Sequence, residues 1–312
     1  MNPVSEHSAV PRIDSPSHTG SAEVPATGTL ILIGGACTPD GMALRSFVDA
    51  VAQIGGPIVG ITAASSEPAR SAMLWRGDFA SVGVTDVHFP PVSRTDAAQD
   101  RAVAAMIDGA AGVFLGGGDQ VKLVASLSGT QTCRAMKALY RRGGVVCGTS
   151  AGSAALTTLT MAGGEIDEEG NLVEQYIGPG FGLLGYEAII DTHFSQRRRL
   201  QRLFLVVAEN PQLLGLGIDE NTALVVHGGV GEVVGAGGVT FVDGRDSVRF
   251  DNATDVEKGR QLTLSALRVG IVGTHYKLDL QRRELSVLVA GEPSAHLRQP
   301  TGEHPVFANA DD

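Results

Sequence analysis

The sequence predicts an α/β fold: a doubly wound, mostly parallel sheet with helices on both faces and antiparallel strands added toward the C-terminus. Three observations carry this. Short apolar runs alternate with helix-period stripes from residue 29 to residue 149. That alternation implies right-handed crossovers and a sheet covered on both sides. Glycine-rich turns fall at the carboxyl ends of three of the runs, at Gly34-Gly35, Gly116-Gly117-Gly118 and Gly148. Ligands of open α/β sheets bind beyond those ends. After about residue 214 the pattern changes to short strands and glycine turns, which suits antiparallel pairing.

Residues 1–26, rich in Ser, Pro, His and Glu, lack apolar periodicity and are expected to be a disordered tail, leaving 27–312 as a single α/β domain. Thr29-Leu30-Ile31-Leu32-Ile33 reads as a central strand. Leu44, Phe47, Val48 and Val51 then fall at i, i+3, i+4 and i+7, one face of a helix. Ile58–Ile61 is the next strand, residues 67–82 a helix, and Val84–Phe89 a strand closed by Pro90-Pro91. Val103, Met106 and Ile107 mark a helix, Gly112–Leu115 a strand, and Ala135, Met136 and Leu139 the helix leading to the strand Gly144–Cys147.

Gly148-Thr149-Ser150-Ala151-Gly152 follows that strand directly and opens a run of small residues suited to a helix start. A strand forced straight into a helix through Gly-x-Ser-x-Gly is the pattern of a nucleophile elbow, and Ser150 is the candidate nucleophile. Beyond it, Gly163–Gly185 reads as a hairpin or excursion whose carboxylates Glu165, Asp167, Glu168 and Glu169 form a solvated face. Ala188–Ile190 is a strand ending at Asp191. Leu200, Leu203, Phe204 and Val207 stripe a helix stopped by Asn210-Pro211, and Ala223–Val226, Glu232–Val234, Val239–Val242 and Leu285–Val289 are late strands.

The chain is 43% hydrophobic and 19% charged with a net charge of −10, an ordinary globular balance that disfavours nucleic acid or an anionic membrane as partners. Cys37, Cys133 and Cys147 have neither metal-ligand spacing nor an even count, so a reducing, cytoplasmic setting without disulfides is expected, and neither metal nor cofactor. Cys147 reads as a small core residue.

A serine hydroxyl needs a base. Of the eight histidines, His193 lies just past the strand end at Ile190 and is preferred over His227 and His275; His7, His18 and His304 fall in polar termini. The base needs a carboxylate, and chemistry alone leaves Asp191, Asp219 and Glu220 open. Oxyanion donors are expected from the backbone near Gly118 and from Ala151. Arg197, Arg198, Arg199 and Arg202 read as the first turns of the helix after His193. Arg198, Arg199 and Arg202 would lie opposite its apolar stripe and Arg197 at its edge, the group forming a carboxylate clamp.

As a set these residues resemble the cyanophycinase family of serine peptidases, relatives of the α-aspartyl dipeptidase peptidase E, on a sheet similar to class I glutamine amidotransferases. The matching stretches are Ile33-Gly34-Gly35-Ala36, Gly117-Gly118-Asp119-Gln120, the elbow, Asp191-x-His193-Phe194 with its arginines, and Gly217-Ile218-Asp219-Glu220-x-Thr222-Ala223. The resemblance implies Ser150 as nucleophile, His193 as base and Glu220 as orienting acid. It also implies a substrate site shaped by Gln120, Asp191, Thr192, Arg197, Arg199 and Arg202, with Arg198 facing solvent. It further implies cyanophycin or a related aspartyl peptide as substrate, and a homodimer. Cyanophycinases proper carry glutamine where this chain has Thr192, which leaves a peptidase-E-like or isoaspartyl peptidase as the alternative. An inert binding module on the same fold is a third reading.

Overall fold

The computed structural model describes residues 28–39, 41–163, 175–249 and 263–287. Five parallel strands form one side of a nine-stranded sheet: β1 (Thr29–Ile33), β2 (Ile58–Ile61), β3 (Val87–His88), β4 (Gly112–Leu115) and β5 (Val145–Thr149), in the order β1-β5-β4-β2-β3, with β3 at the edge. Helices α1 (Met42–Ile54) and α2 (Pro68–Ser81) cover one face, and α3 (Ala97–Asp108), α4 (Gln120–Leu127) and α5 (Gln131–Arg141) the other. Along β1 the side chains alternate: Leu30 and Leu32 enter one core, Ile31 and Ile33 the other. The expected helix stripe is buried at Leu44, Phe47 and Val51. Phe47, Phe79 and Phe114 stack edgewise or tilted beneath it, with centroids 5.3–6.1 Å apart.

The strand expected over Val84–Phe89 contracts to β3. It is an edge strand, and only Val87 and His88 find ladder partners on β2 before Pro90-Pro91 removes further donors. On α3, Asp100 is buried and accepts the amides of Gln131 and Thr132 at 2.8 and 2.9 Å, seating the head of α5.

After the elbow helix α6 (Ala151–Ala154), the chain leaves the main sheet. β6 (Leu159–Gly163) and β7 (Gln175–Pro179) form a hairpin that begins before the stretch Gly163–Gly185 where a hairpin or excursion was expected; the acidic residues between them lie outside the described residues. β8 (Ala188–Thr192), then α7 (Leu200–Glu209), then β9 (Leu214–Ile218) follow. β8, read from sequence as part of the parallel sheet, and β9, which falls where late antiparallel strands were expected, pair parallel to each other in a second sheet of four. β10 (Thr222–His227) and β11 (Val230–Gly235) return to the first sheet, β10 lying antiparallel beside β1. β12 (Val239–Asp243) joins β9 in the second sheet. The short pair β13 (Val248–Arg249) and β14 (Leu264–Ser265) precedes β15 (Arg268–Val272), which completes the order β15-β12-β9-β8. Finally β16 (Tyr276–Asp279) and β17 (Glu284–Val287) extend the first sheet, the expected strand ending at Val287 within the described residues. Apolar periodicity marks a strand without naming the sheet it joins, and that is why the split was not read.

The two sheets are tied together away from the site by Asp243. Arg245 of the following loop donates to it at 2.8 Å, and Arg283 of the β16–β17 turn pairs with it in the buried interior. Burial alone raises the Asp243 pKa, but the arginine hydrogen bonds outweigh it and hold the carboxyl at about 2. A folded pKa below the unfolded value of about 3.9 contributes stability above that pH, lost as pH falls toward 2. Asp243→Asn is therefore expected to lower stability at neutral pH by about 1–3 kcal/mol, the scale of charge-assisted bonds. Urea unfolding at several pH values checks this: the deficit should shrink as pH falls from 4 to 2.

Candidate active site

At the carboxyl end of β5 the chain turns through Ser150 with φ 52° and ψ −118°. An L residue is held there only by surroundings that over-determine it, at a cost of about 1–3 kcal/mol. The flanking glycines supply the room. A Cβ on Gly148 would lie 2.4 Å from the Gly152 backbone, and one on Gly152 would lie 2.2 Å from the Leu115 carbonyl oxygen. The elbow read from sequence is thus a close backbone crossing as well as a turn.

β8 of the second sheet ends beside it and delivers His193, itself at φ 51°. Ser150 Oγ and His193 Nε2 are 2.8 Å apart, and His193 Nδ1 and Glu220 Oε1 are 2.6 Å apart. An ionised carboxylate only accepts, so Nδ1–H donates to Glu220 and leaves Nε2 free to accept the Ser150 hydroxyl proton. The His193 side chain is 13% exposed and that of Glu220 31%. The Glu220 amide donates to Gln196 Oε1 at 3.1 Å, a contact with no signal in the sequence.

The three acids left open by chemistry divide cleanly. Asp219 accepts the amides of Ser195 and Gly238 at 3.0 and 3.1 Å, tying the end of β9 to the turn after His193 and to the start of β12. Asp191, its side chain wholly buried, takes Arg202 Nε at 2.6 Å and a second Arg202 nitrogen, with Arg199 at 3.3 Å. Glu220 alone reaches His193. His227 lies opposite Thr29, at the far end of β1 from Ser150. Cys147 is fully buried beneath the elbow, and burial pushes its thiol well up, in keeping with a core role.

The arginines depart from the expected helical face. Arg197–Arg199 form turns closed onto His193, Ser195 and Phe194, with Arg198 at φ 53°, and α7 begins only at Leu200, which is 41% exposed rather than part of the stripe. The chain must reverse here to let Phe194 pack over Gly217 of β9, and that reversal excludes a helix. Arg202 lies on the buried side of α7, drawn in by Asp191.

A cleft of about 350 Å³ opens over Ser150, at the small end of ligand sites. Gly118, Gln120, Ala151, Asp191, Thr192 and His193 line it, as do Arg197, Arg199 and Arg202; the exposed Arg198 is not among its walls. Gly118 (φ 138°) passes so close to the Ala64 carbonyl that no side chain fits. Gln120 Nε2 donates to the Met161 carbonyl, and Arg202 donates to the Gly163 carbonyl at 3.0 Å, so both fix β6 as a wall of the cleft. Sequence reasoning missed β6 altogether, because its role rests on backbone carbonyls that any residue would present. Arg199 donates to the Thr192 carbonyl at 2.7 Å. No group of three or more metal-ligating side chains is gathered among the described residues. No described helix is long and apolar enough to cross a membrane.

The model of peptidase family S51 matches residues 80–234. The chain is 34% identical over 252 residues to the cyanophycinase of Synechococcus elongatus, covering 78% of this chain and 77% of that one. It is 33% identical over 242 residues to the cyanophycinase of Trichormus variabilis, covering 77% and 80%. Among solved structures, that of a peptidase from an acI-B1 Actinobacterium superimposes with a TM-score of 0.56 at 21% identity, over 70% of this chain and 92% of that one, a likeness of fold alone. Fold and sequence relationship together define a serine-type peptidase. The chain belongs to the cyanophycinase family, within peptidase family S51.

Proposed function

We propose that the chain hydrolyses the aspartyl peptide bonds of cyanophycin, a polyaspartate bearing arginine on each side-chain carboxyl, and releases β-Asp-Arg dipeptides. The observation that carries the mechanism is the unbroken pair of hydrogen bonds from Ser150 through His193 to Glu220, at 2.8 and 2.6 Å. Ser150 Oγ attacks the carbonyl carbon while its proton passes to His193 Nε2. The amides near Gly118 and Ala151 receive the oxyanion; Ala151 opens a helix, where the first amides have no intrahelical partner. The tetrahedral intermediate collapses, His193 gives the proton to the departing amine, and an ester to Ser150 remains. Water, deprotonated by the same imidazole, then releases the acid. Glu220 holds the tautomer throughout and balances the imidazolium.

Charge in the cleft supports the substrate class. Arg197, Arg199 and Arg202 line the cleft around the single buried carboxylate of Asp191, which pairs with Arg199 and Arg202, so this part of the cleft carries a net positive charge toward free carboxylates. Asp119, exposed at the cleft, caps α4 through Oδ1, which accepts the Val121 amide at 2.7 Å, and its other oxygen is offered to a substrate guanidinium. A second reading, a peptidase acting on short isoaspartyl or aspartyl dipeptides, is favoured by one feature: Thr192 is buried in the cleft lining with a short hydroxyl, where the cyanophycinase pattern has an amide. Mass analysis of products from cyanophycin and from a panel of dipeptides separates them. β-Asp-Arg from the polymer is the expected result; turnover of dipeptides alone favours the second reading, and none from either rejects both.

A further inference from the structure

The tripeptide Ile33-Gly34-Gly35, at the end of β1, touches each of the three segments that carry the site. The Ile33 carbonyl accepts the Ser150 amide at 2.9 Å, the Gly34 carbonyl accepts the His193 amide at 2.7 Å, and the Gly35 carbonyl accepts the amide of Asn221, next to Glu220, at 2.9 Å. The Ser150 segment leaves the first sheet, whereas the His193 and Glu220 segments leave β8 and β9 of the second. Three successive acceptors of one strand end therefore set the register between groups that two separate sheets supply.

Gly35 goes further, because the imidazole rests on it. A Cβ at Gly35 would lie 2.2 Å from His193 Cε1, 2.5 Å from Nε2 and 2.8 Å from Nδ1. Cε1 is the ring carbon bonded to both nitrogens, so the surface that stops it fixes the reach of Nε2 to Ser150 and of Nδ1 to Glu220 at once. The position also sits at φ 111°, where side chains are rarely tolerated.

We infer that Gly35 is a positioning residue, the seat on which the His193 ring is held in line between Ser150 and Glu220; this rests on the catalytic roles proposed above. A displacement of the base by about 1 Å costs on the order of a hundredfold in rate. It leaves substrate binding, carried by other walls of the cleft, largely alone.

The test is a pair of cycles on the full chain. Gly35→Ala is expected to lower kcat about a hundredfold with KM within about threefold, and to slow phosphonate labelling of Ser150 in parallel. Gly55→Ala, at φ 75° with nothing within 4 Å of its Cβ, carries similar backbone strain without touching the site and should keep wild-type kcat. In the second cycle, melting temperatures are compared with His193 present and replaced by alanine. Removing the ring should recover most of the stability that Gly35→Ala loses beyond the Gly55→Ala control, even if the single variant folds poorly. Undiminished kcat in Gly35→Ala, or an equal loss of stability with and without the imidazole, overturns the inference. The melting cycle does not depend on turnover. A wild-type protein that neither cleaves peptides nor takes phosphonate on Ser150 would reject the proposed reaction while leaving the seat itself to be judged.

Discussion

Ser150→Ala is expected to lower turnover by about 10⁴- to 10⁶-fold, since in the proposed mechanism the ester intermediate forms on Ser150 Oγ. The remnant above background would come from the oxyanion donors and from binding. The fold should persist, because Ser150 contributes to packing mainly through its backbone: its amide bonds to the Ile33 carbonyl at 2.9 Å, and its own carbonyl receives the Ser153 amide at 2.9 Å. Alanine preserves both. Steady-state rates with a melting curve check the pair of expectations. Loss of rate with loss of fold would say only that the elbow is structural, and full retention of rate would exclude Ser150 as nucleophile.

Asp191→Asn should damage the protein in a different way. The carboxyl has no exposed surface and meets two nitrogens of Arg202 and one of Arg199. An amide of the same shape leaves the Arg202 guanidinium, 6% exposed, without its countercharge. Breaking one side of a buried pair costs about 3–5 kcal/mol. Denaturant midpoints read this directly. Since Arg202 also holds the Gly163 carbonyl on β6, the cleft wall should loosen and KM should rise. Replacing Asp191 and Arg202 together by leucine and methionine should recover much of the stability, yet not the affinity, because only Arg199 then loses its carboxylate, and it keeps the Thr192 carbonyl and some exposure. A loss below about 1 kcal/mol in Asp191→Asn would contradict the burial argument.

How far the chain could be read follows from what each signal encodes. The central strands and their helices were legible because burial on both faces demands near-continuous apolar runs such as Leu30–Ile33, and amphipathic cover demands stripes such as Leu44, Phe47 and Val51. The sharp turn at Ser150 was legible through its glycines, and the placing of His193 beside it through its position after a strand. Glu220 was chosen only through family resemblance, since Asp191, Asp219 and Glu220 all stand at strand ends and only their partners tell them apart. The second sheet was not legible, because β8 and β9 are apolar runs like those of the first. Nor were the turns of Arg197–Arg199, where four arginines within six positions looked like a helix face and tertiary packing of Phe194 overrode local propensity. Gly35 stood in a recognised motif, but its contact with an imidazole 158 positions later is a property of topology alone.

Treatment of the full chain with a serine-directed phosphonate, followed by mass mapping of the adduct, probes most directly whether an activated hydroxyl exists. The proton path from Ser150 through His193 to Glu220 predicts a single adduct on Ser150, formed far more slowly in His193→Ala. No adduct, an adduct on another residue, or labelling of Ser150 at an unchanged rate without the imidazole would contradict it.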